Sequence, residues 1–282
     1  MCYNFPMEEF LNYMANLSSV QKAGWLFGWL SIGFLFEQII PFSEKTYNKT
    51  KHNLVNLSFL LMTMVINLLF SLVAIKLVYP FIESHQVGIL YLFELPLWAE
   101  LIIALLILDF SAQFFVHFLL HKFKFVWRFH MIHHSDTMLV ATSGTRHHPL
   151  DYCTRELFSL LAILLTGAPF AFYMVYRIIT IPCTYFTHSN INLPLWLDKA
   201  LSYIIVTPNL HRFHHHYQLP YTDSNYGNIL SIWDRLFGTL RYDDPNSIQY
   251  GLDILEGSND EDVLFQLGIP FNKKIPSTVV TK

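Results

Sequence analysis

The sequence predicts an all-α integral membrane protein: a single membrane domain over residues 1–282, with about four transmembrane helices and a cytoplasmic helical cap. Three observations carry that expectation. Hydrophobic residues make up 53% of the 282 residues and charged residues only 14%, a balance suited to lipid as the main solvent. Apolar runs recur at residues 25–40, 54–79, 98–120 and 157–185, each near the roughly 20 residues that cross a hydrocarbon core of about 30 Å. Twelve of the 14 histidines then fall between His117 and His216, at the ends of those runs or beyond them.

The N-terminal "MCYNFPMEEF" carries acids and a proline where a secretory signal needs basic residues and an apolar run, so no cleavable signal is expected. The first three runs read as spans. The fourth holds Gly167, Pro169 and Pro182, and reads either as one kinked span or as a re-entrant hairpin, because proline breaks the helical hydrogen-bond ladder. Lys45, Lys49 and Lys51 follow the first run, and Lys122, Lys124 and Arg128 follow the third, whereas residues 80–96 hold Glu83 and Glu94 without a Lys or Arg. The positive-inside rule then puts the first and third connections in the cytoplasm. With a hairpin fourth region, everything from His121 onward lies on that side apart from the hairpin itself.

Further along, Ile229, Leu230, Ile232, Trp233, Leu236 and Phe237 recur at helical spacing and predict an amphipathic helix against the membrane, with Asp234 and Arg235 in structural ion pairs. "SNDEDVLFQLG" predicts a short capped helix within residues 243–282, the cytoplasmic C-terminal tail. Cys2, Cys153 and Cys183 form no CxxC pair and read as small apolar residues. A net charge of −3 with no basic run predicts no nucleic-acid partner.

The histidines are grouped. They read "HFLLH" (His117, His121), "HMIHH" (His130, His133, His134), "RHHP" (His147, His148), "THSN" (His188) and "HRFHHH" (His211, His214, His215, His216). Residues three and four apart share a helix face, so HxxxH and HxxHH gather imidazoles as a shared cation requires. His52 and His85 stand alone and read as loop histidines. Nine or ten candidate imidazoles exceed the ligand set of one zinc, and no HExxH supplies the glutamate of a zinc protease. Two adjacent cations would use them. Imidazole suits iron, zinc and copper alike; a redox metal at the bilayer edge, facing lipid C–H bonds, suggests oxygen chemistry.

In order, spacing and flanking residues, "DFSAQFFVHFLLH", "WRFHMIHHSD", "RHHPLD", "THSNINLP" and "VTPNLHRFHHHYQLPYTDSNYGNILSIWDRLFGTL" resemble the fatty acid hydroxylase and sterol desaturase superfamily. The resemblance covers residues 109–242, about half the chain, and is strongest to bacterial members and, among animal ones, to alkylglycerol monooxygenase. It implies a non-haem di-iron centre, dioxygen as co-substrate and a lipid that is hydroxylated or desaturated. By matched position it implies metal ligands at His117, His121, His130, His133, His134, His148, His188, His211, His214 and His215. His147 and His216 stand where the family usually has other residues, and read as groups beside the ligands or at the surface. Phe118 departs from the Arg that many relatives carry there, which bears on packing or substrate rather than on the metals. No segment resembles the haem-binding electron carrier fused to some relatives, so a separate electron-donor protein is expected.

Carboxylates should hold the outer ring nitrogens of such ligands; Asp109, Asp136, Asp151, Asp223 and Asp234 are the candidates, while Arg146 reads as an internal ion-pair partner or a contact for lipid phosphate. The substrate class stays open among fatty acyl chains, sterols, ether lipids and carotenoids, and hydroxylation is not separated from desaturation. The alternative of another class is a histidine-rich membrane metal-binding or transport protein, whose ligands would usually lie near the middle of the bilayer. A zinc-dependent lipid hydrolase is a third reading.

Overall fold

The structure, a computed structural model, describes residues 7–255 and 260–277; Cys2, Ser258 and Asn259 lie outside them. Helix α1 (Met7–Ala15) leads into α2 (Ser19–Ile39), whose start is set by a capping box: Ser18 Oγ accepts from Gln21 N at 3.2 Å and Gln21 Oε1 accepts from Ser18 N at 2.9 Å. Near the other end of α2, Glu37 Oε1 accepts the backbone N–H groups of Ala141 and Asn190 at 2.6 and 2.9 Å. This end of α2 is thereby tied to the histidine-bearing cap.

Helix α3 (Lys49–Val73) passes through a π turn, Ala74–Val78, into α4 (Tyr79–His85). After a loop, α5 (Leu97–Asp109) passes through a second π turn, Phe110–Phe115, into α6 (Val116–Lys122). The two runs Lys49–Leu92 and Leu97–Lys122 are long and apolar enough to cross a membrane. Leu61, Leu68, Leu69 and Leu77 are each more than half exposed on the first, an apolar outer face that suits lipid rather than water. His52, expected in a loop, lies inside α3, buried, with Nε2 3.4 Å from Asp136 Oδ1; His85 ends α4.

The fourth apolar region is two helices, α8 (Pro149–Thr166) and α9 (Phe170–His188), joined at Gly167 in the left-handed conformation (φ 71°). At about 1.5 Å per residue each runs roughly 27 Å. Their turn meets the loop after α4 backbone to backbone, since a Cβ on Gly88 would lie 2.2 Å from Gly167 N and one on Gly167 would lie 2.5 Å from Val87 O. The hairpin therefore reaches the end of the bundle opposite the cap. Its inner faces pack Ile163, Tyr173 and Tyr176 with Leu108 and Ala112 of the α5 run and Tyr79 and Ile82 of α4. Pro182 is accommodated within α9.

The cap is built from α7 (Lys124–His134), α10 (Leu195–Leu201), α11 (Pro208–His214), α12 (Ile232–Leu236) and α13 (Val263–Gly268). The expected amphipathic helix shrinks to α12. Leu230 instead forms an antiparallel bridge with Ile205, and Asp234 accepts the N–H groups of Tyr226 and Gly227 at 2.8 Å each. Asp234 thus serves the backbone rather than an ion pair, and Arg235 donates to the Ser202 carbonyl at 2.9 Å. The C-terminal residues fold back: Leu252, Leu255 and Ile269 share a core with Val55, Phe59, Trp127, Met131 and Ile132. Arg128 fastens this wrap by donating to the carbonyls of Ile269, Pro270, Asn272 and Ile275. The short helix there begins at an Asp262 cap, which accepts from Phe265 N at 3.0 Å. Cys153 and Cys183 are free.

Replacing Gly167 by Ala puts a side chain at positive φ against a backbone carbonyl. Gly167→Ala is expected to lower stability by about 1–3 kcal/mol, seen as a lower unfolding midpoint in detergent, with metal binding at the opposite end unchanged.

Candidate metal centre

Five helix ends converge on the cap side, and each delivers histidines or the groups that orient them. On α6, His117 and His121 are one turn apart, with ring centroids 5.2 Å from each other. On α7, His130 and His134 share the corresponding face at 4.9 Å, while His133 points to a second cluster. The α11 motif divides the opposite way: His214 joins the first cluster, and His211 and His215 join the second. His188, the last residue of α9, completes the second, its ring 4.2 Å from that of His211.

The first group is His117, His121, His130, His134 and His214; the second is His133, His188, His211 and His215. Within each group the nearest ring nitrogens all lie within 4.8 Å of one another. Each HxxHH motif is thus shared between two sites rather than aimed at one. The groups abut, since the rings of His134 and His215 stack at 4.6 Å.

The hydrogen bonds fix which nitrogen faces inward. His117 Nδ1 donates to Tyr226 O at 2.8 Å, His214 Nδ1 to Ser224 O at 2.6 Å, His188 Nδ1 to Thr184 O at 2.8 Å, and His130 Nδ1 to Asp151 Oδ2 at 3.1 Å. A neutral imidazole carries one N–H, so each Nε2 presents a lone pair. Yet Nε2 of His117 and His130 stand 2.9 Å apart. Two lone pairs repel at that distance unless a cation lies among them.

Other ring nitrogens of His121, His133, His134, His211, His214 and His215 are buried with no hydrogen-bond partner. At about 1–3 kcal/mol for each orphaned polar atom, this would rival the ~5–15 kcal/mol stability of a whole domain. A cation held by the first group would take up His214 Nε2 and one ring nitrogen each of His121 and His134. Burial also lowers the pKa of His133, His134, His211, His214 and His215 well below the ordinary range and brings that of His130 down to about 3. These imidazoles are neutral, the form that binds metal. The donor set fits two transition-metal ions.

Of the candidate acids, Asp151 is central. Its carboxylate accepts from His130 Nδ1, from His147 Nδ1 at 2.8 Å and from Arg155 Nε at 3.1 Å. Asp223 Oδ1 lies 3.4 Å from His121 Nδ1 and its Oδ2 takes Lys122 at 2.7 Å. Asp234 acts one step out, through the Tyr226 loop that orients His117. Asp109 instead accepts from Trp233 Nε1 at 2.8 Å, and Asp136 faces His52 and Arg146. Arg146 is fully buried and donates to the carbonyls of Ile132 and Asp260, which leaves no role on lipid phosphate.

One expected ligand stands apart. His148 is the N-cap of α8, its Nδ1 accepting the Leu150 N–H at 3.0 Å and its ring lying against Phe129. Its neighbour His147 is the one turned inward, stacked on His133 at 4.5 Å and bonded to Asp151 one turn later. The physical reason is that Pro149 opens the helix and gives the preceding residue the capping position. His216 lies outside both groups, its Nδ1 accepting Gln249 N–H. Residues that sequence reasoning missed are those supplied by tertiary contact: the carbonyls of Thr184, Ser224 and Tyr226, and the close approach of Gly144, where a Cβ would lie 3.1 Å from His188 Nδ1.

A cavity of about 520 Å³ ends at these clusters. His117 of the first group and His133, His188 and His211 of the second line it, together with Leu60, Met64, Leu68 and Leu72 along α3. Both metal groups therefore open into one space that continues along an apolar, membrane-length helix.

Residues 101–239 match the family described as fatty acid hydroxylase, a segment that contains every histidine of the two groups. An ornithine lipid hydroxylase of Rhizobium tropici is 27% identical over 88% of this chain and 75% of its own length. Alkylglycerol monooxygenases of Danio rerio and Homo sapiens are both 29% identical, over 50% and 53% of this chain. The chain spans only 30% and 32% of those two relatives. No solved structure matches it.

His121→Ala is expected to reduce bound metal, read by elemental analysis of purified protein, whereas His148→Ala keeps the metal and loses about 1 kcal/mol of helix capping. The linkage sign follows from burial. Unfolded histidines bind protons below about pH 6.5, and the folded ones do so only at lower pH. The unfolded state then holds more protons as pH falls, so metal-free protein should lose stability between about pH 7 and 5. Metal should stay bound at pH 6, where a solvated histidine site would be largely protonated; loss of metal there would contradict a buried neutral site.

Proposed function

Since residues 101–239 belong to the fatty acid hydroxylase family, we propose that this chain is an oxygen-dependent di-iron enzyme that hydroxylates a C–H bond of a membrane lipid. The observation that carries this reading is the pair of buried, neutral imidazole groups at the inner end of one cavity lined by an apolar helix. An iron pair bound there would supply the activation of dioxygen that an unreactive C–H bond demands. His117, His121, His130, His134 and His214 would hold one ion, and His133, His188, His211 and His215 the other.

The chain's own residues do the rest. Tyr226 O, Ser224 O and Thr184 O hold ring protons on the outer nitrogens, and Asp151 does so for His130. The ligands are thereby locked before any ion arrives, which raises their basicity and fixes their aim. The Tyr226 ring, fully buried, lies 5.2–5.8 Å from those of His117, His121 and His214 and keeps bulk water from the first group. On the other side the α3 residues offer a lipid chain an apolar path to the ligands.

Three spans and a re-entrant hairpin follow from this reading: α2, the α3–α4 run and the α5–α6 run cross, and the α8–α9 hairpin enters and returns, with the cap on the cytoplasmic side. Support comes from the ends that meet at the cap, namely the close of α2 at Glu37, the start of α3 at His52, the close of α6 at His121, and both ends of the hairpin. Electrons would arrive from a separate donor protein at the cap.

Hydroxylation is favoured over desaturation by the relatives, whose names include an ornithine lipid hydroxylase, alkylglycerol monooxygenases and a cholesterol 25-hydroxylase-like protein. Iron-loaded protein in native lipid extract, given a reductant and isotopically labelled dioxygen, is expected to yield a lipid carrying one labelled oxygen by mass spectrometry. His133→Ala combined with His214→Ala should abolish it. A product lighter by two hydrogens would make the chain a desaturase, and turnover without dioxygen would sink both readings.

A further inference from the structure

Most of the charge that lines the cavity is already satisfied. Arg177 donates to Glu156 Oε1 at 3.0 Å and to Tyr152 OH at 2.9 Å, Tyr173 OH donates to Glu156 Oε2 at 3.2 Å, and Asn67 donates to Tyr152 OH at 3.1 Å. In this network Arg177 and Glu156 neutralise each other. Arg155 is different. It lines the same cavity with its side chain only 13% exposed, and its single hydrogen bond among the described residues runs from Nε to Asp151 Oδ1. A guanidinium has five N–H donors in a planar fork, so both terminal nitrogens are left without a hydrogen-bond partner among the described residues, on a side chain that lines the cavity. The same Asp151 carboxylate takes the His130 ring proton, which sets those donors one carboxylate away from the first histidine group.

We propose that Arg155 anchors an oxyanion of the lipid substrate, a carboxylate or phosphate, and so presents to the two histidine groups a carbon near the substrate's charged end. The planar fork matches such a group through two parallel hydrogen bonds. The apolar chain then runs away from the histidines along Leu60, Met64, Leu68 and Leu72, which recur every four residues on α3 and line the cavity. The opposite placement would put the charged end on Lys22, exposed on α2 at the cavity's margin, and the chain terminus at the histidines. Burial decides between them, because a charge-assisted bond shielded from water outweighs an exposed, screened one. This deepens the proposed function and depends on it only for what happens to the bound lipid.

The test uses binding to full-length protein in neutral detergent, both metal-free and iron-loaded, with palmitic acid, hexadecyl phosphate and palmitic acid methyl ester as probes. Wild type should prefer the two anions to the neutral ester by at least about 10-fold. Arg155→Gln should weaken the preferred anion by roughly 10- to 100-fold and leave the ester unchanged. Arg155→Lys, which keeps the charge beside Asp151, should fall between and provides the comparison should the Gln variant not fold. Lys22→Gln should change nothing. Preference for palmitate over hexadecyl phosphate, or the reverse, identifies which oxyanion the fork accepts. Equal binding of anions and ester, or a loss on Lys22→Gln rather than at Arg155, overturns the assignment. Failure of the oxygenase reading would show separately, as wild-type protein that takes up no iron while the metal-free binding pattern stands.

Discussion

Nine imidazoles turned toward one another inside the protein are the constraint on which the structure depends. Those of the two HxxHH motifs are neutral because burial disfavours their protons, and four of the nine are held by an outward N–H bond that leaves the inner nitrogen bearing a lone pair. Such a cluster is self-repelling on its own. A cation in each group would relieve that repulsion, and the packing of helix ends in the cap holds the two groups closed. The buried Arg212 illustrates the cost accepted: it donates to the carbonyls of Ser189 and Ile191, spending a whole guanidinium on fixing α11 to the end of α9.

Helix geometry explains how so few elements make two sites. Side chains at i and i+4 lie one above the other, and i+3 is displaced around the helix. On α7 the i and i+4 pair serves the first group and the i+3 histidine serves the second; on α11 the assignment is reversed. Two helices carrying the same motif and facing each other in this way complete both sites at once. Losing either motif would damage both. The π turn Phe110–Phe115 belongs to the same logic, because its wider turn shifts the register of the residues after it just before His117 and His121 enter the cage.

What was legible in the sequence was what depends on spacing within one helix. Apolar length located the two membrane-length runs, and histidine periodicity pointed to eight of the nine clustered histidines, His188 coming only from the family resemblance. The hairpin was legible as one of two forms, and the glycine contact at its turn explains which one the chain adopts. What depends on contact between helices was not legible. Nothing in "RHHP" says that the second histidine caps α8 while the first turns to Asp151, because a helix start offset by one residue exchanges their roles. The apolar spacing after Tyr226 matched a helix, yet that stretch bridges to Ile205, since Asp234 captures its backbone N–H groups. The C-terminal segment likewise reads as polar and short, and its burial against α7 depends on the Arg128 clamp.

The cavity joins the apolar face of α3 to the histidine groups. Along α3 it is walled by leucine and methionine, at its inner end by histidine, and between them by the network of Tyr152, Glu156 and Arg177. That network is costly, because charges removed from water are compensated only by near-complete pairing. Glu156 and Arg177 are paired with each other within it, so it imposes shape on the cavity wall. Arg155 sits at the boundary, paired on one side with the carboxylate that orients His130 and open on the other to the space that a lipid would fill. A group placed there couples substrate position to ligand position through a single carboxylate.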